Sequence, residues 1–259
     1  MLRHKLVSVT FALALVTAAP AWSALTEPAR IGDHAKSLTN RIEFPAIDGD
    51  FTIFVRCEAK VFPAGNIDEI GCYSEGDLDP AFYRAVSIAG ASASVLPAMV
   101  NGDRVSILML FSVIFKQQGD TQTIVVVPNH GTNAKSLGLS YIAPQRYGRG
   151  IRYTPRAELG LLWIDAMMSA QGKASKIKYL ETRWTNKETK RYAKSYINDN
   201  TFIPGHLNGT ATKMRFVKPI FGYRNGFMWD HDTSRCKAST ISCDEVSNIT
   251  GKPRFAFDD

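Results

Sequence analysis

The chain has 259 residues, a formal net charge of +7 and a 45% share of hydrophobic residues, with no low-complexity tract. That composition excludes a fibrous or wholly disordered protein and leaves room for one large domain or two small ones. The positive charge is concentrated over residues 145–194, which carry 12 Lys and Arg against 4 Asp and Glu; it reads as a solvated basic face, or as a surface for anionic lipid, wall polymer or the acidic first half.

The chain opens MLRHKLVSVTFALALVTAAPAWSA. Arg3, His4 and Lys5 form a basic start, Leu6 to Ala19 an apolar stretch of 14 residues, and Ala21-Trp22-Ser23 a cleavage site. The stretch is shorter than the roughly 18 residues a spanning helix needs. Residues 1–23 are therefore expected to be an export signal, which implies a periplasmic protein with no membrane span after signal removal. An exported chain of this kind predicts no nucleic-acid partner. Its four cysteines, Cys57, Cys72, Cys236 and Cys243, favour disulfides, with three pairings open on count alone. Their spacing is not that of a zinc knuckle.

The segment FTIFVRCEAKVF alternates, with Ile53, Val55, Cys57, Ala59 and Val61 on one side and Arg56, Glu58 and Lys60 pointing the other way. That is the pattern of a half-buried strand. Pro63-Ala64-Gly65-Asn66 supplies a turn, and Ile67 to Tyr73 returns. A turn centred between Ala64 and Gly65 sets Cys57 opposite Cys72, within disulfide range, and leaves Cys236 and Cys243 to close the loop CKASTISC. Asp79 caps a helix with Pro80 in its first position, and Phe82, Ala85, Val86 and Ala89 make its apolar stripe. A third strand follows through Val105, Ile107, Met109, Phe111, Val113 and Phe115, and KQQGDTQ connects it as a hairpin to Thr121–Val127. Leu108, Leu110 and Ile114 are apolar on the face away from the helix, so that face needs a cover from the second half or from a partner.

The link VLPAMVNG, Val95 to Gly102, has an echo in FIPGHLNG, Phe202 to Gly209. A shift of 107 residues aligns them and also pairs Ala59 with Ala166, Gly65 with Gly172, Ile70 with Ile177 and Arg84 with Arg191. The hydrophobic pattern follows the same shift. Leu162, Ile164, Ala166 and Met168 take the inward places, Ala170-Gln171-Gly172-Lys173 the turn, and Ile177 and Tyr179 the returning strand. Thr185-Asn186-Lys187-Glu188 reads as a capping box, and Thr189, Tyr192, Ala193 and Tyr196 as the helix stripe. Met214, Phe216 and Ile220 mark the last strand, expected over Thr212–Ile220. Each copy thus reads strand, turn, strand, helix, strand: an α+β fold built as two tandem units, each a small antiparallel sheet with a helix packed on one face.

The text FPAGNIDEIGCYSEGDLDPAFYRAV followed by LPAMVNGDRVSILMLFSVIF resembles the C-terminal domain of TonB, the periplasmic end of the bacterial energy-transducing protein. The resemblance covers residues 44–127 and 151–230, placing a first unit at 40–130, a second at 151–230 and a disulfide-closed tail at 231–259. The second copy departs from the pattern, with Gly205-His206 where Pro-Ala is expected. No spanning anchor and no long Pro-rich spacer precede the units, which argues against force transmission. The resemblance implies a binding role in TonB-dependent envelope transport, in which a sheet edge receives a short segment of an outer-membrane receptor.

No Walker loop, nucleophile elbow or HExxH motif occurs, and no catalytic residue, cofactor or metal is assigned. Trp229-Asp230-His231-Asp232 is the densest polar cluster and reads as a loop. The expected site is instead an open strand edge, which captures an extended protein or peptide segment through main-chain hydrogen bonds. The first unit's edge is taken by Thr121–Val127, so the capture edge falls on the second unit's last strand, at Lys213, Met214, Arg215, Phe216, Val217 and Lys218. Pro219 fits an edge. The rival expectation is an exported enzyme or polysaccharide binder using a groove between the units, lined by Tyr141, Tyr147, Tyr153 and Trp163.

Overall fold

The structure, a computed structural model, describes residues 25–73, 78–148, 160–182, 185–198 and 201–222. The signal segment, Tyr153, the Trp229–Asp232 cluster, Cys236, Cys243 and the 231–259 tail lie outside them. The described chain runs through β1 (Thr26–Glu27), α1 (Leu38–Arg41), β2 (Phe51–Val61), β3 (Ile67–Tyr73) and α2 (Pro80–Ser92). It continues with β4 (Ala98–Val100), β5 (Asp103–Val105), β6 (Ile107–Gln118), β7 (Thr121–Val127), α3 (Ala134–Leu137) and β8 (Gln145–Tyr147). The second half holds β9 (Gly160–Met168), β10 (Ala174–Glu181), α4 (Lys187–Asn198), β11 (Phe202–Ile203), β12 (His206–Leu207), β13 (Thr210–Ala211) and β14 (Met214–Gly222).

The result is an α+β fold of antiparallel sheets. The larger sheet has the order β11-β8-β6-β2-β3, with β7 paired to β6 beside β8; the second sheet is β10-β9-β14. Helix α2 begins as its sequence dictates, with the Ala81 N–H donating to the Asp79 carboxylate at 2.8 Å and Pro80 in the first turn. Its Phe82, Val86 and Ala89 are buried against Val55, Cys57, Ala59, Val61, Met109, Phe111 and Val113. Helix α4 buries Thr189, Ala193, Tyr196 and Ile197, in the cluster that contains Leu162, Ile164, Met214 and Phe216. Its cap is one residue later than the sequence suggests. The Asn186 Oδ1 accepts from the Thr189 N–H at 2.8 Å, while the Thr185 hydroxyl accepts instead from the Thr182 N–H at 2.7 Å.

The 107-residue shift reappears in the strand register. Cys57↔Cys72 and Val61↔Ile67 on β2 and β3 correspond to Ile164↔Tyr179 and Met168↔Ala174 on β9 and β10. Ala59↔Met109 and Val55↔Val113 correspond to Ala166↔Phe216 and Leu162↔Ile220. A bulge recurs as well. Glu69 and Ile70 face Ala59 alone on β2, as Lys176 and Ile177 face Ala166 on β9. The linking phrases form matching two-residue hairpins, Asn101-Gly102 and Asn208-Gly209, with φ of 54 and 87° in the first and 50 and 79° in the second. Those signs are the ones a type I′ turn demands. Gly65 and Gly172 also match: both have positive φ, and a Cβ on either would collide with a carbonyl oxygen, of Val95 and of Phe202 respectively. Val95 and Phe202 are themselves 107 residues apart.

The bulge explains how Cys57 meets Cys72. Next to the turn the register is Val61↔Ile67, one residue away from a hairpin centred between Ala64 and Gly65. The extra residue on β3 then shifts the pairing so that the two cysteines face each other. The disulfide Cys57–Cys72 forms there, across a Cα–Cα distance of 4.0 Å.

Two buried clusters result, one under α2 and one around α4. Tyr73, Leu108 and Leu110, on the face of the first sheet away from α2, belong to the α4 cluster with Trp163, Ile164, Tyr196 and Val217. The second half is thus the cover that face requires. Strand alternation misplaces two residues: Arg56 and Glu58 do not face solvent but are 2% and 5% exposed, because Arg56 donates to the His130 carbonyl and Glu58 meets Lys218 of the second sheet.

Candidate functional site

The six residues of the expected capture edge divide sharply. Met214, Phe216, Val217 and Lys218 are buried, whereas Lys213 and Arg215 are exposed. Arg215 holds Asp165 through two guanidinium bonds, Nε to Oδ1 at 2.9 Å and Nη2 to Oδ2 at 3.0 Å. The Asp165 contact holds the guanidinium above its already high pKa.

The backbone of Arg215 faces the outer edge of β14, away from β9, and is met there by the side chain of Asn133. The Arg215 N–H donates to Asn133 Oδ1 at 3.1 Å, and Asn133 Nδ2 donates to the Arg215 carbonyl at 2.8 Å. A carboxamide carries one acceptor and two donors, so it reproduces the donor–acceptor pair that a neighbouring strand would offer. Asn133 immediately precedes α3, but its side chain caps no helix N–H there. Alternation along β14 puts the backbone of Val217 and Pro219 on the same outer side as Arg215, so the missing Pro219 N–H costs the β9 ladder nothing.

The loop that presents Asn133 is held internally. Asn129 Nδ2 donates to the carbonyls of Leu139 at 2.9 Å and Tyr141 at 2.8 Å, and Asn129 Oδ1 accepts from the Gly131 N–H at 2.8 Å. Ser112 on β6 donates to the Asn129 carbonyl at 2.8 Å. The Tyr141 hydroxyl accepts from the Asn133 N–H at 3.1 Å. Between this loop and the β14 edge lies a small cleft of about 10 Å³, room for about one water-sized molecule, lined among others by Leu110, Asn133, Tyr141, Pro144, Arg215 and Val217.

Beside the cleft sits a buried polar cluster at the junction of the two halves. Lys218 donates to Glu58 in an ion pair whose side chains are 2% and 7% exposed, and the Lys218 ammonium also lies 5.2 Å from the centre of the Tyr196 ring. Burial raises the Glu58 pKa, with Lys218 and Arg146 opposing the rise. Burial likewise lowers the Lys218 pKa, opposed by Glu58. His130 is buried next to them. Its Nε2 lies 2.7 Å from the Cys57 carbonyl, which only accepts, so Nε2 carries the proton and Nδ1 accepts from the Tyr73 hydroxyl at 3.1 Å. Burial lowers the His130 pKa to about 3, with Arg56 and Lys218 adding to the effect and the Cys57 bond opposing it. A neutral imidazole with both nitrogens committed is part of the scaffold.

Sequence reasoning passed over this cluster, although one signal was present. Lys218 interrupts the inward row Met214, Phe216, Ile220, which calls for a buried carboxylate partner. Asn133 offered no such signal. Of the aromatic residues considered for a sugar groove, Tyr141 and Trp163 are each 1% exposed and Tyr147 is half-buried. Among the described residues no group of three or more His, Cys, Asp or Glu is placed to hold a metal ion, and no helix is long and apolar enough to cross a membrane. No protein-family model matches the chain, and neither the curated proteins nor the solved structures yield a significant match.

Proposed function

We propose that this chain is a non-catalytic periplasmic binding or adaptor protein, on a plan like that of the TonB C-terminal domain. It captures an extended segment of a partner protein along the outer edge of β14, between Lys213 and Lys218. The observation that carries the reading is that a side-chain amide, and not a strand, satisfies the Arg215 backbone at that edge. Main-chain pairing supplies affinity in such a complex and side-chain pockets supply selectivity. An incoming segment takes the place of Asn133, pairs with the N–H and C=O of Arg215 and continues past Val217. A segment of an outer-membrane receptor, acidic enough to suit Lys213 and Arg215, is the partner that fits.

The test is a pull-down of solubilised envelope proteins and of insoluble wall material on the immobilised mature chain. Recovery of outer-membrane receptors supports the proposal. Retention on wall material alone would place the protein among polysaccharide binders.

A further inference from the structure

Strand edges among the described residues differ in how they are protected, and one has no described strand beside it. The outer edge of β14 carries Pro219 and the Asn133 amide. β10 has a bulge, with Lys176 at a φ of 51°, and further charge at Lys178 and Glu181. β3 has the matching bulge and the charge of Asp68. β11 is two residues long. Bulges, charges, prolines and short length are the devices that stop an edge from pairing with another chain. β7 has none of these four, although α1 packs against part of the strand. Its seven residues read TQTIVVV, without charge or proline, and its pairing to β6 runs from Ser112↔Val127 to Gln118↔Thr121 without a shift. Among the described strands only β6 pairs with it.

The register says which groups the bare edge offers. Gly119-Asp120 is a two-residue hairpin, so its closing pair, Gln118↔Thr121, is hydrogen-bonded. Alternation then commits the backbone of Thr123 and Val125 to β6 and turns that of Gln122, Ile124 and Val126 outward. Ile124 and Val126 keep their side chains against the α2 core, while Thr121, Thr123 and Val125 are exposed on the other face, Val125 by 43%.

We propose that the outer edge of β7 pairs antiparallel with β7 of a second copy of this chain, across a two-fold axis at Ile124. The strand is complementary to itself in that register. Ile124 meets its own mate, Gln122 meets Val126, and Thr123 meets Val125, so the outward N–H and C=O groups of all three edge residues find partners. The opposed exposed side chains are β-branched, which suits a cross-strand pair, and no like charges are brought together. Pro128 ends the pairing on one side and the Gly119-Asp120 turn on the other. An uncharged edge of high β-propensity left bare is an aggregation hazard, which two-fold pairing removes.

The mature chain is tested by sedimentation over a concentration series, with residue-resolved hydrogen exchange on the same sample. The expected result is a dimer in which the amides of Gln122, Ile124 and Val126 are protected, and in which protection is lost on dilution. Thr123→Lys with Val125→Lys places lysine against lysine twice in the dimer and should weaken it by about tenfold. Thr123→Glu with Val125→Lys places opposite charges in the same places and should restore it. Both positions are exposed, and circular dichroism reports whether the fold survives. A protein that stays monomeric overturns the proposal. If its three edge amides are nevertheless protected, another part of the same chain covers β7. A dimer indifferent to both pairs of substitutions also overturns it, since the contact then lies elsewhere.

Discussion

His130 and the Glu58–Lys218 pair set how the protein responds to acid and to truncation. His130 has a folded pKa of about 3 against an ordinary value of 6.5. The unfolded chain therefore binds a proton that the folded one refuses. That contribution to stability is complete above about pH 6.5 and falls by ~1.4 kcal/mol per pH unit as acid is added, until the folded pKa is passed. Glu58, with its pKa raised by burial, acts in the opposite direction, so the histidine is best isolated by difference. Denaturant titrations from pH 7 to 4 should show a shallower loss in His130→Gln than in the natural protein. Parallel curves would contradict the assignment. At the ion pair, Glu58→Leu or Lys218→Met alone leaves one buried charge without its partner and should cost ~3–5 kcal/mol, whereas the double substitution should be close to neutral or stabilising. Strict additivity of the two single losses would mean that the side chains do not interact.

Elements were legible where local rules decided them. The Asp79-Pro80 start of α2, the extent of β2 and the Gly119-Asp120 hairpin need only neighbours in sequence, and each stands where the pattern places it. The recurring Asn-Gly hairpins and the glycine at each turn could be seen as a repeat, but not their reason. Gly65 and Gly172 are needed because the turn presses on the carbonyl of Val95 or Phe202, a contact between segments about 30 residues apart. The bulge on β3 was invisible, since nothing in Glu69-Ile70 marks it until the register is known. The N-terminal arms were missed as well: Glu27 and Arg30 pair with Met99 and Leu96 as Ile142 and Gln145 pair with His206 and Ile203. Arg30 and Gln145, which take matching places in the two arms, are 115 residues apart, so the shift of 107 does not align them. Substitution separates the two classes of glycine. Gly102→Ala and Gly209→Ala meet open space and bear only the positive φ, so each should cost ~1 kcal/mol. Gly65→Ala and Gly172→Ala add a collision with backbone and should cost more than that. Equal losses in thermal unfolding for all four would contradict the packing described for the turns.

At the scale of the whole molecule, the two halves share one buried surface. Tyr73, Leu108 and Leu110 from the first are packed with Trp163, Tyr196 and Val217 from the second, and Glu58 reaches Lys218 across the same boundary. The sequence pointed to an apolar face in need of a cover, but not to the polar groups sealed inside it, because the burial of Glu58 against Lys218 depends on how the halves dock. A fragment ending at residue 140 exposes that face and should be less stable than the full chain and prone to associate. A monomeric, soluble fragment of unchanged stability would show that the docking contributes nothing. The site was legible to the same extent: strand β14 and its edge Pro219 could be read from pattern, while the Asn133 side chain that covers Arg215 comes from a loop 82 residues away.

Capture of a partner strand at β14 is the central claim, and the most direct measurement compares partner binding by the natural chain, Asn133→Ala and Arg215→Pro. Affinity for a receptor recovered from the envelope is measured by titration, with circular dichroism as the control for folding. Asn133→Ala frees the N–H and C=O of Arg215 and should tighten binding, whereas Arg215→Pro removes the N–H that the incoming segment needs and should abolish it. Equal affinities in all three proteins, with the fold intact, would place the capture site away from β14.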